Sequence, residues 1–244
     1  MKMNRRFLWS VLALLVAVGA GVGVYSSGSP PGIDRPLFEQ PDRVAAKIAL
    51  IDADGSFDLV FIGDSITQNF DKTAYQPVWQ KFYGARHALN LGYGGDTTGA
   101  ALWRIARGEL DGLSPRVTVI LLGTNDTNLK RTSAQTVSGI LSVVDVVKTR
   151  LPQTKILLLG ILPSDRSPEK TRDDRAVNLA LAEKFVGDPR VTFLDAGGVL
   201  AKDENADYQF FVEQPAEGAL HPNPAGQRLL AQAIEPELQR LFEE

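Results

Sequence analysis

The stretch at 58–65 constrains this chain more than any other. Leu59, Val60, Phe61 and Ile62 form an unbroken apolar run, partly β-branched and aromatic, that stops at Gly63-Asp64-Ser65. A run of that kind closed by glycine predicts a central, fully covered strand ending in a tight turn. Ser65 then stands at the strand's carboxyl end, the edge where open α/β sheets bind ligands, so its hydroxyl is a candidate nucleophile. Asp and Ser are also ordinary turn and N-cap residues, and taken alone the tripeptide reads more simply as the start of a helix.

The remainder of the chain alternates helix and strand with short connections. The apolar spacing predicts helices over 41–51, 76–83, 97–107, 133–150, 169–186 and 224–242, and strands over 58–63, 87–91, 117–122, 156–161 and 191–194. Strands without a polar face, separated by helices, imply a parallel sheet covered on both sides. Pro236 is expected to kink or break the last helix. At 244 residues the chain can bury one sizeable α/β core.

The first residues read differently. Lys2, Arg5 and Arg6 precede an apolar run over 7–24. That layout fits a signal peptide or a membrane anchor over 1–25, with export to a periplasmic or other extracytoplasmic location, attached to the inner membrane if the segment is retained. A Ser/Gly/Pro linker follows over 26–36, and the globular domain occupies 37–244.

Composition removes several classes of function. A net charge of −3 without a basic stripe argues against nucleic acid as partner. The absence of cysteine excludes disulfides, thiolate catalysis and Cys-based metal sites. Asp203, Asn205 and Asp207 space like the start of a calcium loop. Tyr208 and Gln214, however, stand where that loop needs Gly and Glu, so no metal site is expected.

Three more stretches fall at the same sheet edge as Ser65. Gly92-Tyr93-Gly94-Gly95-Asp96-Thr97 lets backbone N–H groups approach a ligand ahead of a helix. It is not a dinucleotide fingerprint, because Thr97 replaces the required glycine. In Gly123-Thr124-Asn125-Asp126 the Asn125 amide can face a developing oxyanion. His221, just before the closing helix, can reach this edge. His87, the only other histidine, enters the second strand at the wrong end and is expected to be structural.

Taken with His87-Ala88-Leu89-Asn90, Leu102-Trp103-Arg104, Gly108-Glu109-Leu110 and the run 157–163, these blocks closely resemble the SGNH (GDSL-type) hydrolase superfamily, and within it esterases of the platelet-activating-factor acetylhydrolase catalytic-subunit type. The resemblance covers the chain from about Leu59 to its end. It implies a three-layer, flavodoxin-like α/β fold with a five-stranded parallel sheet, in agreement with the five strands read above. It implies Ser65 as nucleophile and His221 as general base. The oxyanion hole would be the backbone N–H groups of Ser65 and Gly95 with the Asn125 side-chain amide. No metal or organic cofactor is implied. The activity implied is hydrolysis of short-chain, acetyl-type esters of a small molecule, glycan or lipid, and relatives of this type pair, so a homodimer is a further expectation.

One position departs from the pattern. The family places Asp three residues before its histidine, where this chain has Gly218. The nearest acid is Glu217, which is expected to orient His221, with Glu213 a weaker substitute and a backbone carbonyl as the remaining choice. The missing Asp motivates a second expectation, a degenerate domain that binds acylated carbohydrate without turnover. An O-acyltransferase using the same site is the third.

Overall fold

A computed structural model of the chain describes residues 34–54, 56–202 and 205–244. The signal or anchor expected over 1–25 lies outside the described residues, as does the linker up to residue 33. Among the described residues no helix is long and apolar enough to cross a membrane.

The strands β1 (Leu59–Gly63), β2 (Ala88–Gly92), β3 (Val117–Leu121), β4 (Lys155–Leu159) and β5 (Val191–Leu194) form one sheet in the order β2-β1-β3-β4-β5. Every pairing within it is parallel. β1 and β3 are buried along their whole length, as an apolar strand between two helical layers must be. Their side chains alternate between faces. Val60 and Ile62 pack in a cluster with Ile51, Ile105, Val143, Val144, Val177 and Leu181. These residues come from α1 (Pro41–Ala53), α4 (Thr98–Ile105), α6 (Ser133–Arg150) and α7 (Pro168–Lys184). Leu59 and Phe61 face the opposite way, into Trp79 of α3 (Gln76–Phe82) and Leu230, Ile234 and Leu238 of α8 (Pro224–Glu243). The result is the three-layer α/β architecture that the sequence predicts.

The strand order has a direct consequence for the site. From β1 the chain moves outward to β2 on one side, whereas from β3 it proceeds to β4 and β5 on the other. The crevice that this reversal opens lies between the carboxyl ends of β1 and β3. Register holds those ends level, since Gly63 pairs with both Gly92 and Leu121. Two short helices follow there at once: α2 (Ser65–Gln68) after β1 and α5 (Thr124–Asn128) after β3. Both are too short to be read from apolar periodicity.

One sequence expectation changes, at Pro236, while the placing of His87 away from the site stands. The closing helix runs through Pro236 without a break. Ile234 and Leu238 on either side are buried against the sheet, while Gln232, whose carbonyl loses its helical partner, is exposed to water. His87 sits at the far end of the sheet in a left-handed conformation, its Nδ1 3.0 Å from the Ser56 carbonyl and its Nε2 3.0 Å from Asp54.

The close approach of α2 to β2 explains Gly92, where a Cβ would lie 2.4 Å from the backbone nitrogen of Gln68. That nitrogen, and the Thr67 carbonyl carbon that would be 2.8 Å away, are backbone and cannot turn aside. Gly92→Ala is therefore expected to lower unfolding free energy by about 1–3 kcal/mol, measured by urea denaturation.

Candidate active site

The turn that carries Ser65 is built by Asp64. This residue is buried, and its Oδ1 accepts the N–H of Ile66 at 2.8 Å, capping α2 at its first turn. Burial pushes the Asp64 carboxyl up to about 7, against the pull of that N–H. Ser65 is left half-buried at the lip of the crevice, with its hydroxyl 2.9 Å from Nε2 of His221.

His221 reaches this point because the segment before α8 folds back on itself. Phe211 and Pro222 form an antiparallel bridge, the Val212 N–H donates to the His221 carbonyl at 2.9 Å, and the Asn223 N–H donates to the Phe210 carbonyl at 2.8 Å. Asn223 also caps α8, accepting from Ala225 and Gly226. This pairing sets Val212 opposite His221 and brings Glu213, the next residue, within reach of the imidazole. Its Oε1 meets Nδ1 of the imidazole, and its Oε2 accepts the backbone N–H groups of Leu220 at 3.2 Å and His221 at 3.0 Å. A carboxylate can only accept, so Nδ1 donates and Nε2 is the nitrogen left to accept from the Ser65 hydroxyl. Burial opposes ionisation of Glu213, but the His221 N–H and imidazole outweigh it and hold the carboxyl below its usual range.

Glu217 does not orient His221. It is exposed, and its Oε2 accepts the N–H of Gln214 at 3.1 Å within its own turn. Gly218 explains why the usual acid position is empty of a side chain. Its φ is +73°, and a Cβ there would lie 2.4 Å from the Asp165 carbonyl oxygen. The loop is bound to that neighbour, since the Asp165 N–H donates to the Ala219 carbonyl at 3.0 Å.

Three donors expected from the sequence line one cleft. Ser65, Gly95, Asn125 and His221 share its wall with Phe38, Gln40, Gln68, Gly94 and Leu220, around a volume of about 500 Å³. Among the described residues the backbone N–H groups of Ser65 and Gly95 have no hydrogen-bond partner. The neighbouring glycines are engaged: Gly92 donates to Asn90 Oδ1, and Gly94 donates to Gln68 Oε1. Asn125 donates one amide hydrogen to the Asp96 carbonyl at 2.9 Å, which fixes the amide and leaves its second hydrogen uncommitted.

The residues flanking Asn125 hold it from below. Asp126, fully buried, accepts from Thr98 N at 3.0 Å, Thr98 Oγ1 at 2.7 Å and Arg131 at 2.9 Å. The buried Lys170 ammonium donates to Thr124 and Thr127, each at 3.0 Å, and to Asp174 at 2.7 Å. No residue pattern points to Lys170, which lies on α7 more than forty residues away. Among the described residues no cluster of His, Cys, Asp and Glu could hold a metal ion.

The chain belongs to the GDSL-like lipase/acylhydrolase family, whose family model matches residues 61–229. It is 39% identical over 140 residues to the alpha1 subunit of platelet-activating factor acetylhydrolase IB from Bos taurus, a match that covers 57% of this chain and 58% of that protein. The match thus spans less than two thirds of the relative's length. Among solved structures, a GDSL-like lipase from Bacteroides thetaiotaomicron superposes with a TM-score of 0.61 at 20% identity, over 82% of this chain and 98% of the other. A carbohydrate acetylesterase from Sinorhizobium meliloti gives 0.54 at 20% identity, over 75% and 99%. At such identities these two likenesses are of fold.

Restoring the usual acid would not restore the usual geometry. Gly218→Asp places a side chain where φ is positive and the Asp165 backbone is in the way, so thermal unfolding should show a loss of about 1–3 kcal/mol.

Proposed function

We propose that this protein is a serine esterase that hydrolyses short-chain, acetyl-type esters. The observation that carries the reading is the unbroken line of hydrogen bonds from the Ser65 hydroxyl through His221 to Glu213. In the proposed reaction Ser65 Oγ attacks the ester carbonyl while its proton passes to His221 Nε2. Glu213 keeps the imidazole in the required tautomer and stabilises the imidazolium as it forms. The carbonyl oxygen becomes an oxyanion facing the N–H groups of Ser65 and Gly95 and the free amide hydrogen of Asn125. The proton on Nε2 then goes to the departing alcohol. Water, deprotonated by the same nitrogen, attacks the acyl-serine; the acyl–oxygen bond breaks, the carboxylic acid leaves, and the proton on Nε2 returns to Ser65 Oγ.

Acetyl preference is supported by the similar relative, which is named an acetylhydrolase. The degenerate-binder reading was motivated by the lack of an orienting acid. Glu213 stands in that role geometrically, which favours turnover.

Nitrophenyl acetate hydrolysis separates the two glutamates. Ser65→Ala should abolish activity in a folded protein. Glu213→Gln should lower turnover by about 10²–10⁴, the scale set by losing the tautomer-fixing carboxylate. Glu217→Gln should leave turnover unchanged, because its carboxylate serves only its own turn. Equal losses from the two glutamate variants would sink the assignment of Glu213.

A further inference from the structure

We infer that Phe38, on the strap that precedes α1, sets the size of ester the cleft accepts. This rests on the esterase reading and goes beyond it, because the strap lies outside the segment 61–229 that the family model matches.

The strap is fixed by groups that also build the site. Arg104, only 2% exposed, donates from Nε and Nη2 to the two oxygens of Asp96 at 2.7 and 3.0 Å. Two more of its hydrogens go to the backbone of the strap, from Nη1 to the Glu39 carbonyl and from Nη2 to the Phe38 carbonyl, both at 3.0 Å. The guanidinium also lies over the Tyr93 ring, 3.9 Å from its centroid. The same Asp96 accepts the Asn125 amide on its backbone carbonyl. One buried cation therefore registers the strap against the residue that holds the third oxyanion donor.

A second clamp acts two residues on. Gln40 adopts a left-handed conformation, φ 48°. Its amide donates to the Gly94 carbonyl at 3.3 Å and accepts from Gln68 at 2.9 Å. Gln68 in turn accepts the Gly94 N–H. Both ends of the strap segment 38–40 are thus tied to the glycine loop that carries the Gly95 donor.

Between the clamps the Phe38 side chain projects into the cleft. Its ring lies over Gly95, so near that a Cβ at that position would be 2.8 Å from Cδ2 and 3.0 Å from Cε2. The ring is nevertheless 63% exposed, and it shares the cleft wall with Leu220 and Ser65. An isolated exposed phenyl needs no explanation. A phenyl whose backbone is held by a buried guanidinium, and whose ring edge stands against Gly95, is a wall beside the reacting carbonyl. Such a wall excludes bulk by its position, and shortening it admits larger esters.

The test is the ratio of kcat/KM for nitrophenyl hexanoate to that for nitrophenyl acetate. Phe38→Ala should raise this ratio by about tenfold or more, within the range a pocket wall contributes per methylene group, and Phe38→Trp should lower it. Thermal unfolding of Phe38→Ala should match the unaltered protein, since the ring buries little. A ratio unchanged in both variants overturns the inference, as does an equal loss on both esters, which would make the ring a general contact and not a selector. Ester hydrolysis that is lost in Ser65→Ala tests the underlying esterase reading separately, because that comparison involves the acetate alone and leaves the strap intact.

Discussion

Everything in the site depends on the neighbouring strands β1 and β3, which the chain leaves in opposite directions. Because the strands are parallel and in register, their carboxyl ends come level, and the segments that follow them open onto one crevice. Ser65 comes from the first of these segments and Asn125 from the second. The sheet needs no special residues to do this, only apolar side chains on both faces of each strand. What special residues supply is fine placement: Asp64 turns the chain under Ser65, while Asp126 and Lys170 pin the two sides of Asn125. These polar groups are buried, so each works only while its partners are present. Removing one partner of the Arg104–Asp96 pair would leave an uncompensated buried charge, at a cost of about 3–5 kcal/mol.

The imidazole is placed by a different kind of structure. His221 lies on a loop, and loops position side chains poorly unless something closes them. Here the closure is the antiparallel pairing of 210–213 with 220–223, with Asn223 bonded both to that pairing and to the first turn of α8. In this pairing Val212 faces His221, and Glu213 stands one residue further along the same arm. The pairing therefore brings an acid from the far arm of the turn to His221, whereas Glu217, nearer in sequence, falls at the turn's tip.

That difference marks the limit of what the sequence revealed. The strands were legible because a doubly covered strand must be apolar throughout, and the Gly63-Asp64-Ser65 stop and Asn125 were legible because they sit directly at strand ends. The choice of Glu213 over Glu217 was not, because the pairing that presents it depends on backbone hydrogen bonds that leave little trace in residue type. Gly218 carried a hint: a glycine where an acid is usual implies a backbone that forbids a side chain, and its positive φ bears this out. Pro236 was misread in the other direction, since the apolar contacts of Ile234 and Leu238 outweigh one lost helical hydrogen bond. Phe38 was out of reach altogether. It stands in a short polar segment at the edge of a Pro-rich stretch, and its position is set by Arg104, sixty-six residues later.

The central claim is that Ser65 is the nucleophile, activated by His221. The most direct measurement is intact mass and peptide mapping after treatment with a fluorophosphonate, which loses fluoride to an activated serine and stays bound through phosphorus. The account predicts a single adduct, mapped to Ser65 and absent from the folded Ser65→Ala variant. A folded protein that takes up no probe, or labelling that persists in Ser65→Ala, would contradict it.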